Sequence, residues 1–328
     1  MRRRAFVIML VIALAFSRTV QAQSNDAPLV VFLHGSALVG QFRTYIESFL
    51  AGLKDQGFEN RRNVTIEYRW AEGRYERGPA LAAELLALRP TAAVVYGPPG
   101  LLHSVIDTYP KEIPIVFGTG GDPIAAGIVP NFAHPGANAT GVANRTNSLD
   151  VKRIELLRDL VPGAKLIGLV LNPYNSDSIG VERAVRNGAR QLDRRLIVFR
   201  ASNAEELERQ FAAATEKGVG ALLMGSDTFL NTQRDLAIAL ASRYRLPTIY
   251  NGREFVEAGG LLSYGANFMA VYRQVGVYTG KVLHGTKPAD LPVLEPTTFE
   301  LTVNVKTAKA LDLVVPPALL ARADEVIE

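Results

Sequence analysis

Cysteine is absent from all 328 residues. That excludes disulfides, thiol catalysis and lipid attachment through a cysteine at a cleavage site. It is compatible with an oxidising compartment without requiring one. Tryptophan occurs once, at Trp70, and histidine four times. His34, His103, His134 and His284 are scattered without ligand spacing or cysteine partners, so a metal site is not expected and no cofactor is implied. Low-complexity tracts and short repeats are missing, which excludes solenoid architectures. An excess of one charge is missing too. The chain holds 36 Lys and Arg against 32 Asp and Glu, but Arg2, Arg3, Arg4 and Arg18 fall in the first 22 residues, which carry no acid. Removing those four leaves 32 against 32, so nothing in the charge argues for nucleic acid or an anionic membrane as partner.

One long apolar run is present. It covers residues 5–16, behind the basic Arg2-Arg3-Arg4, and ends at Val20-Gln21-Ala22. This is the layout of a secretory signal peptide with cleavage before Gln23. The run is short for a membrane span, so the retained-anchor alternative is the weaker one. Export as a soluble periplasmic protein without a lipid anchor, and with no direct membrane insertion after cleavage, is the expectation.

The remaining length suits two domains of ordinary size. Apolar or alternating stretches at 28–33, 63–69, 92–96, 113–117 and 140–142 read as strands. Helical patterns at 42–53, 77–88 and from GPPG to residue 106 lie among them. A second series starts with a helix at 149–160. It continues with strands at 165–171, 195–199, 219–224 and 246–250, alternating with helices at 181–192, 204–217 and 232–244. Strands alternating with helices predict parallel sheets covered on both faces. Two such series predict an α/β protein of two doubly wound parallel-sheet lobes.

The stretch from Glu254 to Pro292 connects them. Gly259-Gly260 punctuates the chain, Leu261-Leu262-Ser263-Tyr264 reads as a short strand, and Asn267 caps a helix. Phe268, Val271, Tyr272, Val275, Thr279 and Val282 give that helix one apolar face, and Gly285 and Pro288 stop it. It is read as the return from the second lobe to the first, which places Ser263, Tyr264 and Gly265 at a hinge facing the cleft. The expected crossings are 149–160, 264–267 and 294–298, before a strand at 299–303. The division is a first lobe of 27–145 plus about 266–295 and a second of 146–265 plus about 296–328.

Ligands of open α/β sheets bind outside the carboxyl ends of the strands. In the first lobe that rule selects His34-Gly35-Ser36, Tyr96-Gly97-Pro98-Pro99 and Gly118-Thr119-Gly120-Gly121-Asp122. In the second it selects Asn172-Pro173-Tyr174, Gly225-Ser226-Asp227 and Tyr250-Asn251, with Ser263 and Tyr264 at the hinge. From these, Ser36, Tyr96, Gly97, Pro98, Thr119, Asp122, Asn172, Ser226, Asp227, Tyr250 and Tyr264 are the candidate ligand-binding residues. Hydroxyls and backbone N–H groups at helix starts suit a carboxylate, and tyrosine rings suit an aliphatic or aromatic body or a cation. Asp122, Asp227 or Glu254 could meet an ammonium. Alternatively, Asp122 caps a turn before Pro123, Asp227 caps the following helix, and Glu254 is solvated.

No catalytic residue is assigned from the motifs present. VVFLHGS resembles the oxyanion loop of α/β-hydrolases, so a secreted esterase is the competing reading. Its G-x-S-x-G elbow is missing, because Ser263 has Leu261 before it and Gly265 after it. GTGGDP has Pro123 where G-x-G-x-x-G needs its last glycine, and Gly276 stands one residue too close to Gly280-Lys281 for a phosphate-binding loop.

Several long motifs in order carry a resemblance across essentially the whole chain after the leader. They are IEYRWAEGRYERGPALAAELLALRP, IPIVFGTGGDPI, LPTIYNGREFVEAGG, GGLLSYG, GTKPADLPV and the C-terminal EPTTFELTVNVKTAKALDLVVPPALLARADEVIE. Together they resemble the substrate-binding proteins of ABC transporters, in the group similar to the tryptophan/tyrosine-type binding proteins. That resemblance implies the periplasmic-binding-protein type I fold and a multi-crossing hinge. It also implies capture of an amino acid or an aromatic or carboxylate-bearing small molecule, a permease with ATPase subunits as partner, and no chemistry on the ligand; a monomer is expected. The resemblance implies a cleft at these loops. A sugar-repressor-like regulator shares the fold but needs a DNA-binding headpiece where the leader stands here.

Overall fold

The computed structural model describes residues 27–38, 40, 42–144 and 146–328. The expected signal peptide lies outside them. The first half builds strands β1 (Leu29–His34), β2 (Thr65–Trp70), β3 (Ala92–Tyr96), β4 (Ile115–Thr119) and β5 (Ala139–Ala143), with helices α1 (Phe42–Asp55), α2 (Gly78–Ala87) and α3 (Pro99–Ile106) between them. All pairings in this sheet are parallel and its order is β2-β1-β3-β4-β5. The sequence favours this because β3, β4 and β5 are buried at every position, as strands covered on both faces must be.

The second half runs α4 (Asp150–Leu160), β6 (Leu166–Leu171), α5 (Ser178–Gln191), β7 (Arg195–Arg200), α6 (Ala204–Glu216), β8 (Ala221–Met224), α7 (Thr228–Thr232), α8 (Arg234–Arg243), β9 (Thr248–Tyr250), α9 (Arg253–Glu257) and β10 (Leu262–Gly265). Then come α10 (Phe268–Leu283), β11 (Glu300–Asn304), α11 (Val305–Ala310), α12 (Pro317–Leu320) and β12 (Glu325–Ile327). The second sheet is β12-β11-β10-β9-β8-β6-β7. It departs from the all-parallel expectation at one place, where β10 and β11 pair antiparallel. The physical reason is the path: β11 enters after the chain has returned from the first sheet, so it arrives from the opposite end. The helix expected at 232–244 is α8, and a separate short helix, α7, precedes it because Asp227 accepts from the N–H groups of Phe229 and Leu230.

Each sheet is sandwiched between two apolar clusters. In the first, α1 and α10 cover one face, and α2 and α3 the other. Helix α10 therefore belongs to the first sheet although it follows β10 of the second. The chain passes between the sheets three times: after Ala143, after Gly265, and between Leu294 and Glu300. Leu294 still bonds Gly141 and Ala143 at the edge of the first sheet, and Glu300 opens β11. Asn267 accepts from Ala270 N and so starts α10 directly after the second passage.

Candidate functional site

In both sheets the chain reverses its direction of growth, between β1 and β3 in the first and between β6 and β8 in the second. Such switch points open a crevice at the carboxyl ends of the strands, and here the two crevices face each other. They enclose a recess of about 40 Å³. Tyr96, Gly97, Pro98, Gly120, Gly121 and Phe268 line it from the first lobe, and Ser226, Asp227, Thr228 and Asn251 from the second. Asn144, Thr146 and Asn147 close the hinge side. An outer crevice of about 340 Å³ adjoins it, sharing Gly120, Gly121, Asn147 and Asp177 and adding Asp122, Phe132 and Val181.

The lobes touch across this cleft. Tyr75 donates to Asp227 Oδ2 at 2.8 Å, lies 2.6 Å from Thr228 Oγ1, and accepts from Phe229 N at 3.2 Å. Gly100 N donates to Ser176 Oγ at 3.1 Å. Tyr45 on α1 hydrogen-bonds Glu254 on α9, and burial raises both of these groups' pKa.

Of the candidate residues, Tyr96, Gly97, Pro98, Ser226 and Asp227 come together around the recess. Asp227 is heavily partnered: Phe229 N, Leu230 N and Asn172 donate to Oδ1, and Tyr75 and Asn175 to Oδ2. Burial still pushes its carboxyl above the usual range, opposed by these donors. Asn172 is buried and acts through Asp227. Ser36 is fully buried and holds His34, with Oγ 2.7 Å from Nδ1. Thr119 Oγ1 accepts from Gly121 N, shaping the loop that lines the recess. Asp122 lies in the outer crevice and caps its own turn, accepting from Ile124 N and Ala125 N. Tyr250 points the other way, into the second lobe's core, stacked on Phe255 at 4.5 Å. Tyr264 packs against Phe299 and that lobe's other cluster, and only its carbonyl reaches inward, accepting from Arg153 Nε at 2.7 Å. The alternating sides of a strand decide this: position at a strand end is readable, but the face is set by register. Glu254 is neither solvated nor lining the recess but buried against Tyr45.

Sequence reasoning missed Asn144, Asn147, Asp177, Thr228 and Phe268 at the recess. Asn175 and Asp177 were signalled by NPYNSD just past β6. Asn144 directly follows β5, beyond the strand ends selected from the sequence. Phe268 and Tyr75 had no local signal.

Beneath the recess runs an aromatic column. Tyr96 stacks on His34 at 5.4 Å and on Tyr272 at 4.2 Å, and Tyr272 on Tyr45 at 4.9 Å. His34 Nε2 is 2.6 Å from Tyr272 Oη, and burial pushes its imidazole down to about 3, so it is neutral. Beside the recess, Arg153 is fully buried. It donates to the Thr146 carbonyl, Asp150 and Ser226 Oγ. Burial raises Asp150 to about 6 against the pull of Arg153.

Two parallel-rich α/β lobes, three connections and a cleft at facing switch points are the type I periplasmic-binding fold. The family profile described as ABC transporter substrate binding protein matches residues 29–327, and the chain belongs to that family. A curated relative, the tyrosine-binding protein of Clostridioides difficile (strain R20291), is 24% identical over 267 residues, covering 81% of this chain and 76% of the relative. Two solved structures share the fold. A conserved domain protein from Vibrio cholerae superposes with a TM-score of 0.82 at 23% identity, covering 92% of this chain and 100% of the other. An ABC domain in complex with L-Trp from Streptococcus pneumonia superposes at 0.80 and 22%, with the same coverage.

Proposed function

We propose that this chain is the periplasmic solute-capturing component of an ABC importer, and that it takes a small amino acid ligand, aromatic ones among them, between its lobes. Residues 27–145 plus about 266–295 move as one body against 146–265 plus about 296–328. The closed form is then presented, as a monomer, to a permease and its ATPase subunits. The carrying observation is the recess between two facing switch points, with an aromatic wall of Tyr96 and Phe268, amides and hydroxyls from both lobes and carboxylates from the second. Asp177, whose carboxyl burial raises, is the candidate for an ammonium, because the five donors on Asp227 leave it little capacity. Closure is favoured by ligand because only the closed form makes both sets of contacts. Among the described residues no helix is long and apolar enough to cross a membrane. The ester-hydrolase reading is disfavoured by the Ser36–His34 pair itself, since both side chains are fully buried beneath the recess.

Calorimetry and thermal unfolding with L-tryptophan and L-tyrosine test this reading. A cognate ligand at a hundredfold excess over Kd stabilises the folded state by about 2.7 kcal/mol. No shift across a panel of amino acids, aromatic acids and sugars would overturn it. Intact-mass analysis of exported protein tests the leader, with Gln23 as the expected first residue.

A further inference from the structure

Two backbone N–H groups fix the direction of every hydrogen bond under Tyr96. A backbone N–H can only donate. Ser36 N lies 3.0 Å from His34 Nδ1, so that nitrogen accepts and the ring proton sits on Nε2. His34 therefore donates to Tyr272 Oη at 2.6 Å. Tyr272 Oη is thus an acceptor toward His34, which leaves its own proton free to turn toward Tyr96, on whose ring it stacks at 4.2 Å. From the other side, Thr146 N lies 3.3 Å from Asn144 Oδ1, which sets the amide so that Nδ2 donates to Tyr96 Oη at 2.9 Å. Tyr96 Oη thus accepts from Asn144, with the Tyr272 hydroxyl as a second donor on its other side. Its proton has no acceptor among the described residues, and Tyr96 lines the recess.

The opposite wall repeats the logic. Arginine has no acceptor, so Ser226 Oγ accepts from Arg153 Nη1 at 3.0 Å and its own proton is left over. Ser226 also lines the recess. Behind it Arg153 is fully buried, and its Nη2 has no partner. A cation with incomplete pairing thus stands behind a hydroxyl that must donate forward.

We propose that Tyr96 Oη and Ser226 Oγ, one from each lobe, form the subsite that receives the carboxylate of the bound ligand, with His34, Tyr272 and Arg153 as positioning residues that aim the two protons. This rests on the binding reading above and assigns the orientation of the ligand within it. It also gives a reason for closure, because an anion shared by the two hydroxyls bridges the lobes.

The test is calorimetry on the full exported chain with L-tryptophan and L-tyrosine, compared with tryptamine and tyramine, which lack only the carboxylate. The amines are expected to bind the wild type at least about a hundredfold more weakly. Tyr96→Phe and Ser226→Ala are each expected to weaken the amino acid about ten- to a hundredfold and to leave the amine within about threefold. The positioning role is read by a double-mutant cycle. Tyr272→Phe is expected to weaken the amino acid about three- to tenfold in the wild type and to have no effect once Tyr96 is Phe. Amino acid binding that is unchanged in Tyr96→Phe, or amines that bind as well as amino acids, would overturn the subsite while the binding reading stands. A wild type that responds to no carboxylate but to a sugar would overturn the subsite together with the amino acid assignment. Phe in place of Tyr keeps the ring packing, so a thermal midpoint near that of wild type is expected and separates loss of a donor from loss of fold.

Discussion

Two buried ionisable residues set the pH response at the scale of single side chains. His34 is held neutral by burial, with its pKa lowered to about 3. The unfolded chain takes up a proton below about 6.5 and the folded chain does not until about 3. Stability from this group is therefore full above 6.5 and lost as pH falls toward 3. Asp150, raised to about 6, acts in the opposite sense: its contribution declines as pH rises from about 4 to about 6 and is flat above. The two overlap, so the wild-type curve alone does not separate them. A His34→Gln variant does. Its stability deficit relative to wild type, from urea unfolding, is expected to shrink by about 2 kcal/mol between pH 6.5 and 5, at about 1.4 kcal/mol per pH unit. A deficit constant over that range would mean that His34 is protonated in the fold.

Among elements, the α1–α10 crossing carries the most constraint. Phe42, Tyr45, Ile46, Phe49 and Leu53 give α1 a buried stripe, and α10 presents Val271, Tyr272, Val275 and Tyr278 to the same cluster. The backbones approach because Gly52 and Gly276 sit at the crossing. A Cβ on Gly276 would stand 2.0 Å from the Phe49 carbonyl oxygen, and one on Gly52 2.0 Å from that of Arg273. Neither obstacle is a flexible side chain, so the helices must part. Gly276→Ala is expected to cost roughly 1–3 kcal/mol or more in chemical unfolding despite alanine's higher helix propensity. Because Tyr272 rides on the same helix, the variant is also expected to weaken ligand binding. A neutral or stabilising result would show that the crossing is looser than this.

Over the whole molecule, the proposed closure turns on contacts across the cleft. Tyr75 bridges to Asp227, Thr228 and Phe229 of the other lobe. Tyr75→Phe removes that bridge without changing the core volume. It is expected to take about 1–2 kcal/mol from the closed form, enlarging the ligand-free protein in small-angle scattering and raising Kd about five- to thirtyfold. The ligand-saturated profile should stay as in wild type. Unchanged scattering and affinity would show that Tyr75 packs but does not latch.

The sequence by itself determined the alternation of strands and helices, the two α/β series, the return helix capped by Asn267 and the strand ends at which the cleft lies. These are local properties, carried by periodicity, caps and glycines within a few residues of where they act. It also put Tyr96 and Ser226 among the candidates, because one ends a buried strand and the other closely follows one, and both line the recess. It could not sort Tyr96 from Tyr250. Both end a strand, yet one faces the recess and the other stacks on Phe255, and only register against neighbouring strands chooses the face. Nor could it find Tyr75, 152 residues from Asp227, or the chain from His34 to Tyr272, 238 residues apart. Those contacts exist only once α10 has crossed back to the first sheet and the lobes have met. Tertiary structure decided which donors were already occupied, and so which protons were left to face the cleft.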